Sequence, residues 1–176
     1  MLKLETERLI LIAGNVEMAE AELTDRNKLE SLVGAKFSKD WPPPLNDEDS
    51  MKWFWKYMVS HPGSAGWVTW YFCLKMPDDS LQAIGNGGFK GKPDRNGTIE
   101  TGYSVIENFQ LNGYATEAVK ELIRWAFGHS NVKKIIAQTF PNLVPSIKVL
   151  EKCGFKYSGK GYEEGTILYE LLKTGH

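Results

Sequence analysis

The chain has 176 residues, enough for one domain with a full hydrophobic core and too few for two of ordinary size. Hydrophobic residues make up 42% and charged residues 24%, which sets aside an extensively disordered chain. The net charge of -1 gives no general attraction to nucleic acid or to an anionic membrane, and Lys133-Lys134 reads as a solvated strand entrance. Two cysteines, Cys73 and Cys153, make no disulfide framework, and three scattered histidines, His61, His129 and His176, show no metal-ligand spacing. The opening MLKLETERLILIAG lacks a signal-peptide h-region, and no segment approaches the roughly 20 apolar residues that span a bilayer. A reduced, cytoplasmic protein, monomeric or homodimeric, is expected, with no nucleic-acid or membrane partner and no metal.

Arg8 to Ala13 is an apolar run that suits a first strand. From Asn15 to about Gly34 the pattern is helical, and Trp41-Pro42-Pro43-Pro44 stops any helix. Asn46-Asp47-Glu48-Asp49 supplies caps for a further helix through about Val59, ended by His61-Pro62-Gly63. Trp67–Leu74, Leu81–Lys90 and Thr98–Val105 are rich in aromatic and branched residues and joined by short turns, which predicts an antiparallel meander. Ala115, Ala118, Val119, Leu122, Ile123 and Ala126 then mark the clearest amphipathic helix in the chain. Ile135-Ile136-Ala137 is a short buried strand, and Leu143, Ile147 and Leu150 lie on a helix stopped by Gly154 at its C′ position. Phe155–Gly161 and Thr166–Leu172 close the chain as strands, so the whole, residues 1 to 176, reads as one mixed α/β domain.

Chemistry concentrates in Gln110-Leu-Asn-Gly113-Tyr-Ala115, a glycine-bearing loop entering the amphipathic helix. Such a loop aims several backbone N–H groups at one point, and the helix dipole favours an anion there. Gly113 permits close approach of the backbone, Ala115 keeps the first turn clear, and Gln110 can add a hydrogen bond, which is what a pyrophosphate requires. By itself this is a weak motif. Gly85-Asn-Gly-Gly-Phe-Lys-Gly91 lacks the spacing of a dinucleotide fingerprint and of a phosphate loop, so a nucleotide-binding protein is disfavoured. Its glycines read as a bulge or a close backbone approach. Trp53, Trp55, Trp67 and Trp70 read as core or cleft wall, and Cys153 as packed rather than reactive.

Downstream stands Thr139-Phe-Pro-Asn142-Leu-Val-Pro-Ser146-Ile-Lys-Val149-Leu150-Glu-Lys-Cys-Gly154-Phe155. Together with Glu5-Thr-Glu-Arg-Leu9, Ile99-Glu-Thr-Gly-Tyr-Ser-Val105, the Gln-x-x-Gly-x-Ala loop and Ala115-Thr-Glu-Ala118, it makes the chain resemble the GNAT acetyltransferase superfamily in order and spacing. It is most similar to the group of ribosomal-protein N-terminal (alanine/serine) acetyltransferases, and the resemblance covers nearly the whole chain. It implies a mostly antiparallel, twisted sheet of about seven strands, with a V-shaped split between two parallel strands and about four flanking helices. It also implies an acetyl-CoA-dependent N-acetyltransferase working by direct transfer to a primary amine, on a peptide or protein N-terminus or a small molecule. A non-catalytic acyl-CoA-binding or regulatory module of the same fold is the alternative.

Carried onto this chain, the resemblance places the pantetheine arm against the strand at Ser104, Val105 and Ile106. The pyrophosphate falls on the amides of Leu111, Asn112, Gly113, Tyr114, Ala115 and Thr116, beside Gln110. A backbone N–H at Val105 or Ile106 would serve the oxyanion. Glu100 stands where similar enzymes place a general base, and it also reads as a structural strand residue. Ser146 matches a serine near the thiol sulfur, and equally a helix-surface serine. Many members carry a tyrosine one turn later, where this chain has Leu150. Similar proteins have an asparagine three positions before Ser146, where this chain has Leu143; adjacent Asn142 either binds cofactor in its place or caps the helix. The acceptor amine is left open, although the region before Gly66 is where similar enzymes build its pocket.

Overall fold

The computed structural model describes residues 1–174, which leaves His176 outside the described residues. Nine strands form one sheet, in the order β1-β2-β4-β5-β6-β7-β9-β8, with a two-residue β3 alongside β5. These are β1 (Lys3–Glu5), β2 (Leu9–Ala13), β3 (Lys36–Phe37), β4 (Thr69–Lys75), β5 (Leu81–Phe89), β6 (Thr98–Val105), β7 (Lys134–Thr139), β8 (Lys156–Lys160) and β9 (Ile167–Leu172). Five α-helices flank it: α1 (Val16–Thr24), α2 (Arg26–Val33), α3 (Glu48–Ser60), α4 (Tyr114–Phe127) and α5 (Val144–Lys152).

The expected meander of β4, β5 and β6 is antiparallel, as its short turns require. Strand and helix counts exceed the expectation, for local reasons. The charged start hides β1, which pairs with β2, and β3 is too short to show a period. The helical run after Asn15 divides at Asp25, whose extended backbone (φ -152°, ψ 99°) breaks α1. Its carboxylate then caps α2 by accepting from the N–H groups of Asn27 and Lys28. The C-terminus of α5 follows the expectation. Gly154 sits at φ 90°, its N–H donates to the Glu151 carbonyl, and Phe155 N–H donates to Leu150. That is a Schellman closure, and it turns the chain into β8.

The functional geometry comes from strand register. β6 and β7 are parallel, but only Thr98–Thr101 pairs with Lys134–Ala137. Beyond that point β6 stays with β5 as far as Val105↔Gly85, while β7 stays with β9 as far as Thr139↔Ile167. The two strands therefore diverge, and the sheet opens as a V between residues 102–105 and residues 138–139. Core packing holds both arms. Ile99 and Val105 of β6 and Ile135 and Ala137 of β7 are buried with Ala118, Val119 and Leu122 of α4 on one face of the sheet. On the other face, Ile12, Tyr71 and Ala83 pack under Met18, Leu29 and Trp41. At roughly 25 cal/mol per Å² of apolar surface, that burial overrides the loss of pairing along two short strand ends.

Candidate active site

A cavity of about 1260 Å³ passes through the split. Its lining comes from both sides of the sheet. Leu111, Gly113, Ser146 and Lys152 lie toward α4 and α5, and Asn46, Asp49, Trp53 and Gly88 lie toward α3. Gly88 is required here, because at φ 145° a Cβ would collide with the Val68 carbonyl oxygen.

Gly113, at φ 82°, is the N-cap of α4 and offers no side-chain cap. The first backbone N–H of this region taken by a protein acceptor is that of Glu117, which donates to the Gly113 carbonyl. Among the described residues no acceptor engages the N–H groups of residues 111 to 116. Six consecutive open donors at the start of a 14-residue helix suit an anion, and Lys148 and Lys152, one turn apart on α5, also line the cavity. The residues fit the diphosphate of acetyl-CoA.

The loop is held by its neighbours rather than by itself. Gln110 Nε2 donates to the Val105 carbonyl at 2.9 Å, so its side chain fastens the loop to β6 instead of reaching outward for phosphate. Asn112 Nδ2 folds back onto the Gln110 carbonyl at 2.9 Å. Leu111, at φ 62°, turns its side chain into solvent. Arg8, not singled out from the sequence, clamps the loop from β2's side. Its Nη1 donates to the Asn112 carbonyl at 2.9 Å, its guanidinium lies 4.5 Å from the Tyr114 ring centre, and its Nε donates to Glu117 at 2.7 Å.

Burial raises the Glu117 carboxyl's pKa, but hydrogen bonds from Thr6 and Arg8 and the guanidinium's charge outweigh it and leave the value below the ordinary 4.5. The unfolded chain therefore binds this proton more readily than the folded one. The contribution of Glu117 to stability is present above about pH 4.5 and is lost as the pH falls below it. Arg8→Ala is expected to weaken acetyl-CoA binding by roughly tenfold and to flatten the acid limb of the stability curve, since loss of the guanidinium frees both loop and carboxylate. Unchanged affinity in a titration of Arg8→Ala would mean that the loop needs no clamp.

Backbone direction decides which strand groups face the opening. Lys90 N–H donates to the Glu100 carbonyl and Ile106 N–H to the Ile84 carbonyl, so the even-numbered residues of β6 address β5. Alternation then turns the N–H and carbonyl of Tyr103 and the N–H of Val105 toward the split. This corrects one expectation. The Ile106 N–H is committed at 2.8 Å and its side chain is buried, so of the two amides singled out only that of Val105 faces the split. Ser104 is committed too, its hydroxyl donating to the Pro44 carbonyl at 2.7 Å and tying the 41–47 loop over the strand.

The remaining singled-out residues divide. Ser146 lines the cavity, and its Oγ lies 3.4 Å from the Tyr103 hydroxyl, which donates to the Ser146 carbonyl at 3.0 Å. Tyr103 was missed in the sequence because nothing there reports that β6 and α5 converge. Burial raises its pKa well above the ordinary tyrosine value, with only a partial offset from Ser146. Leu143 lines the cavity and is itself the N-cap of α5 without a side-chain cap, so Asn142, exposed and one residue earlier, does not cap α5. Glu100 lies one step before the split, opposite Ile136, and is not among the cavity-lining residues. Lys90 Nζ reaches its carboxylate at 2.6 Å and Gln138 Nε2 donates to it at 3.0 Å. Lys90 also reaches Glu163 at 2.8 Å; burial lowers its pKa, but these two carboxylates outweigh that and keep the ammonium charged. Trp67 and Trp70 are buried as expected, Trp55 is partly buried, and Trp53 is a cavity wall, 46% exposed. Burial pushes the Cys73 thiol up to about 12 and Cys153 up to about 11, so neither is an activated nucleophile. Among the described residues no group of three His, Cys, Asp or Glu side chains could hold a metal, and no helix is long and apolar enough to cross a membrane.

Comparison with known proteins agrees with this geometry. Residues 16–156 match the model of the acetyltransferase (GNAT) domain. The chain is 30% identical over 165 residues to the uncharacterized N-acetyltransferase YjdG of Bacillus subtilis, covering 93% of this chain and 95% of that one. In structure it is similar to the ribosomal-protein-S5-alanine acetyltransferase of Vibrio fischeri, with a TM-score of 0.64, 20% identity and coverage of 98% and 97%. It is also similar to the microcin C7 self-immunity acetyltransferase MccE in complex with acetyl-CoA and AMP, with a TM-score of 0.63, 18% identity and coverage of 96% and 94%. Six open amides at a helix start, a cleft through a sheet that splits between parallel strands, and a family match over most of the chain lead to one assignment: the protein belongs to the GNAT acetyltransferases and is an acetyl-CoA-dependent N-acetyltransferase.

Proposed function

We propose that the chain, acting as one acetyltransferase domain, transfers acetyl directly to a primary amine that enters from the α3 side of the sheet. The observation that carries this reading is a single cavity joining the open amides of residues 111–116 to the α3 face, with the Tyr103 and Ser146 hydroxyls along the way. Acetyl-CoA supplies an activated acyl group on a sulfur that leaves as a thiolate. The amide donors and α5 lysines hold the diphosphate, and the open edge of β6 pairs with the arm as a further strand would. Val105 N–H donates to the carbonyl oxygen as negative charge gathers there. A phenol that burial has made less acidic keeps its proton, and because a hydroxyl can rotate, the Tyr103 O–H that donates to the Ser146 carbonyl swings to the thiolate as it forms, beside the Ser146 hydroxyl.

Glu100, held by Lys90 and Gln138, anchors that cation. Its carboxylate is taken up by these two contacts and stands outside the cavity lining. The ammonium loses one proton to water at the cavity mouth. After attack the second N–H proton leaves to water as the C–S bond breaks, so that the amide and the CoA thiolate are the products. The acceptor class fits a peptide amino terminus, by analogy with the S5-alanine acetyltransferase, and a small-molecule amine.

The experiment is amine-dependent release of CoA from acetyl-CoA, monitored with a thiol reagent, beside the melting temperature of the protein with millimolar acetyl-CoA. A melting rise and release that depends on the amine are expected. Absence of release across peptide and small-molecule amines, in protein that acetyl-CoA stabilises, would overturn the transferase reading in favour of a binding module. In the same assay Glu100→Gln should reduce kcat by less than about tenfold with no recovery at high pH, whereas a direct base would cost roughly 10²–10⁴.

A further inference from the structure

Charge is divided along the cavity. Five charged side chains line it. Lys148 and Lys152 stand at the α5 end, where the diphosphate belongs, and no carboxylate among the lining residues accompanies them. At the α3 end stand Asp49 and Glu163 with one ammonium, Lys90, and that ammonium is already shared between Glu163 and Glu100. Among the lining residues, two carboxylates against one cation leave this end negative. An amine approaches as an ammonium ion and is attracted there, while an amine bearing its own carboxylate meets repulsion from the same groups.

The walls of the same end are apolar. Asp49 and Trp53 lie one turn apart on α3, so the carboxylate and the indole present to the same side. Trp53 stacks on Tyr57, with centroids 5.3 Å apart and an interplanar angle of 24°, and Tyr57 stacks on His61 at 4.0 Å. This column fixes the indole although it is 46% exposed. Leu45, 77% exposed and in the left-handed region at φ 66°, lines the same cavity. Exposed apolar side chains gathered on one cavity mark a binding wall. Between the walls the floor is bare: Gly88 pairs with Gly102, and a Cβ at Gly102 would have no neighbour within 4 Å. That strip runs between the Asn86–Ser104 pair and the Lys90–Glu100 pair.

We infer that the acceptor is a primary amine with no carboxylate on the adjoining carbon and with an apolar or aromatic substituent that packs on Trp53, while its ammonium is drawn by Asp49. This rests on the transferase reading above and narrows it, setting free amino acids aside. The probes are phenylalaninamide and phenylalanine, which share a ring and an amine and differ in the carboxylate.

Binding to the CoA-loaded protein is measured by saturation-transfer NMR, which needs no turnover, and transfer is measured by CoA release. The amide should bind at least tenfold more tightly than the acid. Asp49→Asn should reduce that preference several-fold. Trp53→Ala should lower kcat/KM for phenylalaninamide about tenfold and for glycinamide, which has no ring to pack, by a clearly smaller factor. Equal binding of amide and acid, or binding of neither, would overturn the inference. Preferential binding of the amide without CoA release would uphold it and overturn only the transferase reading.

Discussion

Replacing Gly113 by aspartate is expected to weaken acetyl-CoA binding by roughly a thousandfold while leaving the fold in place. A carboxylate at the N-cap of α4 stands against the diphosphate; at about 4 Å and an effective dielectric near 20, the repulsion is about 4 kcal/mol. The left-handed backbone at φ 82° disfavours any side chain, but aspartate and asparagine tolerate it best, so the expected loss of stability is about 1 kcal/mol. Room is not the obstacle, since a Cβ would stand 3.4 Å from Arg8 Nη2. Arg8 offsets the new charge only in part, because its single positive charge is already shared with Glu117. Gly113→Asn is the control of equal shape without charge and should bind within about tenfold of the parent. Calorimetric titration of both variants checks this; equal affinity in Gly113→Asp would place the phosphate elsewhere.

Tyr103→Phe is expected to lower kcat by roughly 10- to 100-fold, with little change in the affinity for acetyl-CoA. Removal of one preorganised donor from a developing anion costs up to about 10²–10³ in oxyanion holes, and a diffuse thiolate gains less from each donor. Ser146→Ala should cost less than about tenfold, because its hydroxyl stands beside Tyr103, which remains as donor. The two groups are in contact, so the double variant should depart from the product of the single effects. Stability is a weak confounder. The Ser146 carbonyl belongs to helix α5, and loss of the phenol's hydrogen bond costs about 1 kcal/mol. Burial holds the phenol protonated well beyond the ordinary tyrosine range, so the rate of the parent enzyme should show no downturn from this group up to about pH 10. Steady-state kinetics with acetyl-CoA varied settle the matter. A large loss in Ser146→Ala beside near-normal Tyr103→Phe would assign the donor to the serine.

Local rules were sufficient for much of the molecule. Asn15, Asp47 and Gly154 capped or ended their helices as their side chains or lack of one dictate. The 3.6-residue repeat of α4 was plain because one face of that helix is buried against the sheet and α5. The loop at Gly113 was legible because its chemistry is local: an open helix start, a residue able to take positive φ, and small residues behind it. The division of α1 from α2 was not, since it turns on one backbone conformation at Asp25 inside a continuous apolar rhythm.

By itself, then, the sequence determined the family and the main run of elements from β4 to β9, both of which rest on neighbours a few residues apart. Tertiary structure decided which groups are free to act, because hydrogen-bonding capacity is shared over long separations. Arg8 reaches Asn112 and Glu117 from β2's side, Pro44 takes the hydroxyl of Ser104, Ile84 takes the amide of Ile106, and Lys90 occupies Glu100. The approach of Tyr103 to Ser146 and the divided charge of the cavity arise the same way, from register and packing that bring β6, α3 and α5 around one opening. A donor's availability is a property of its partners, and those partners lie far away along the chain.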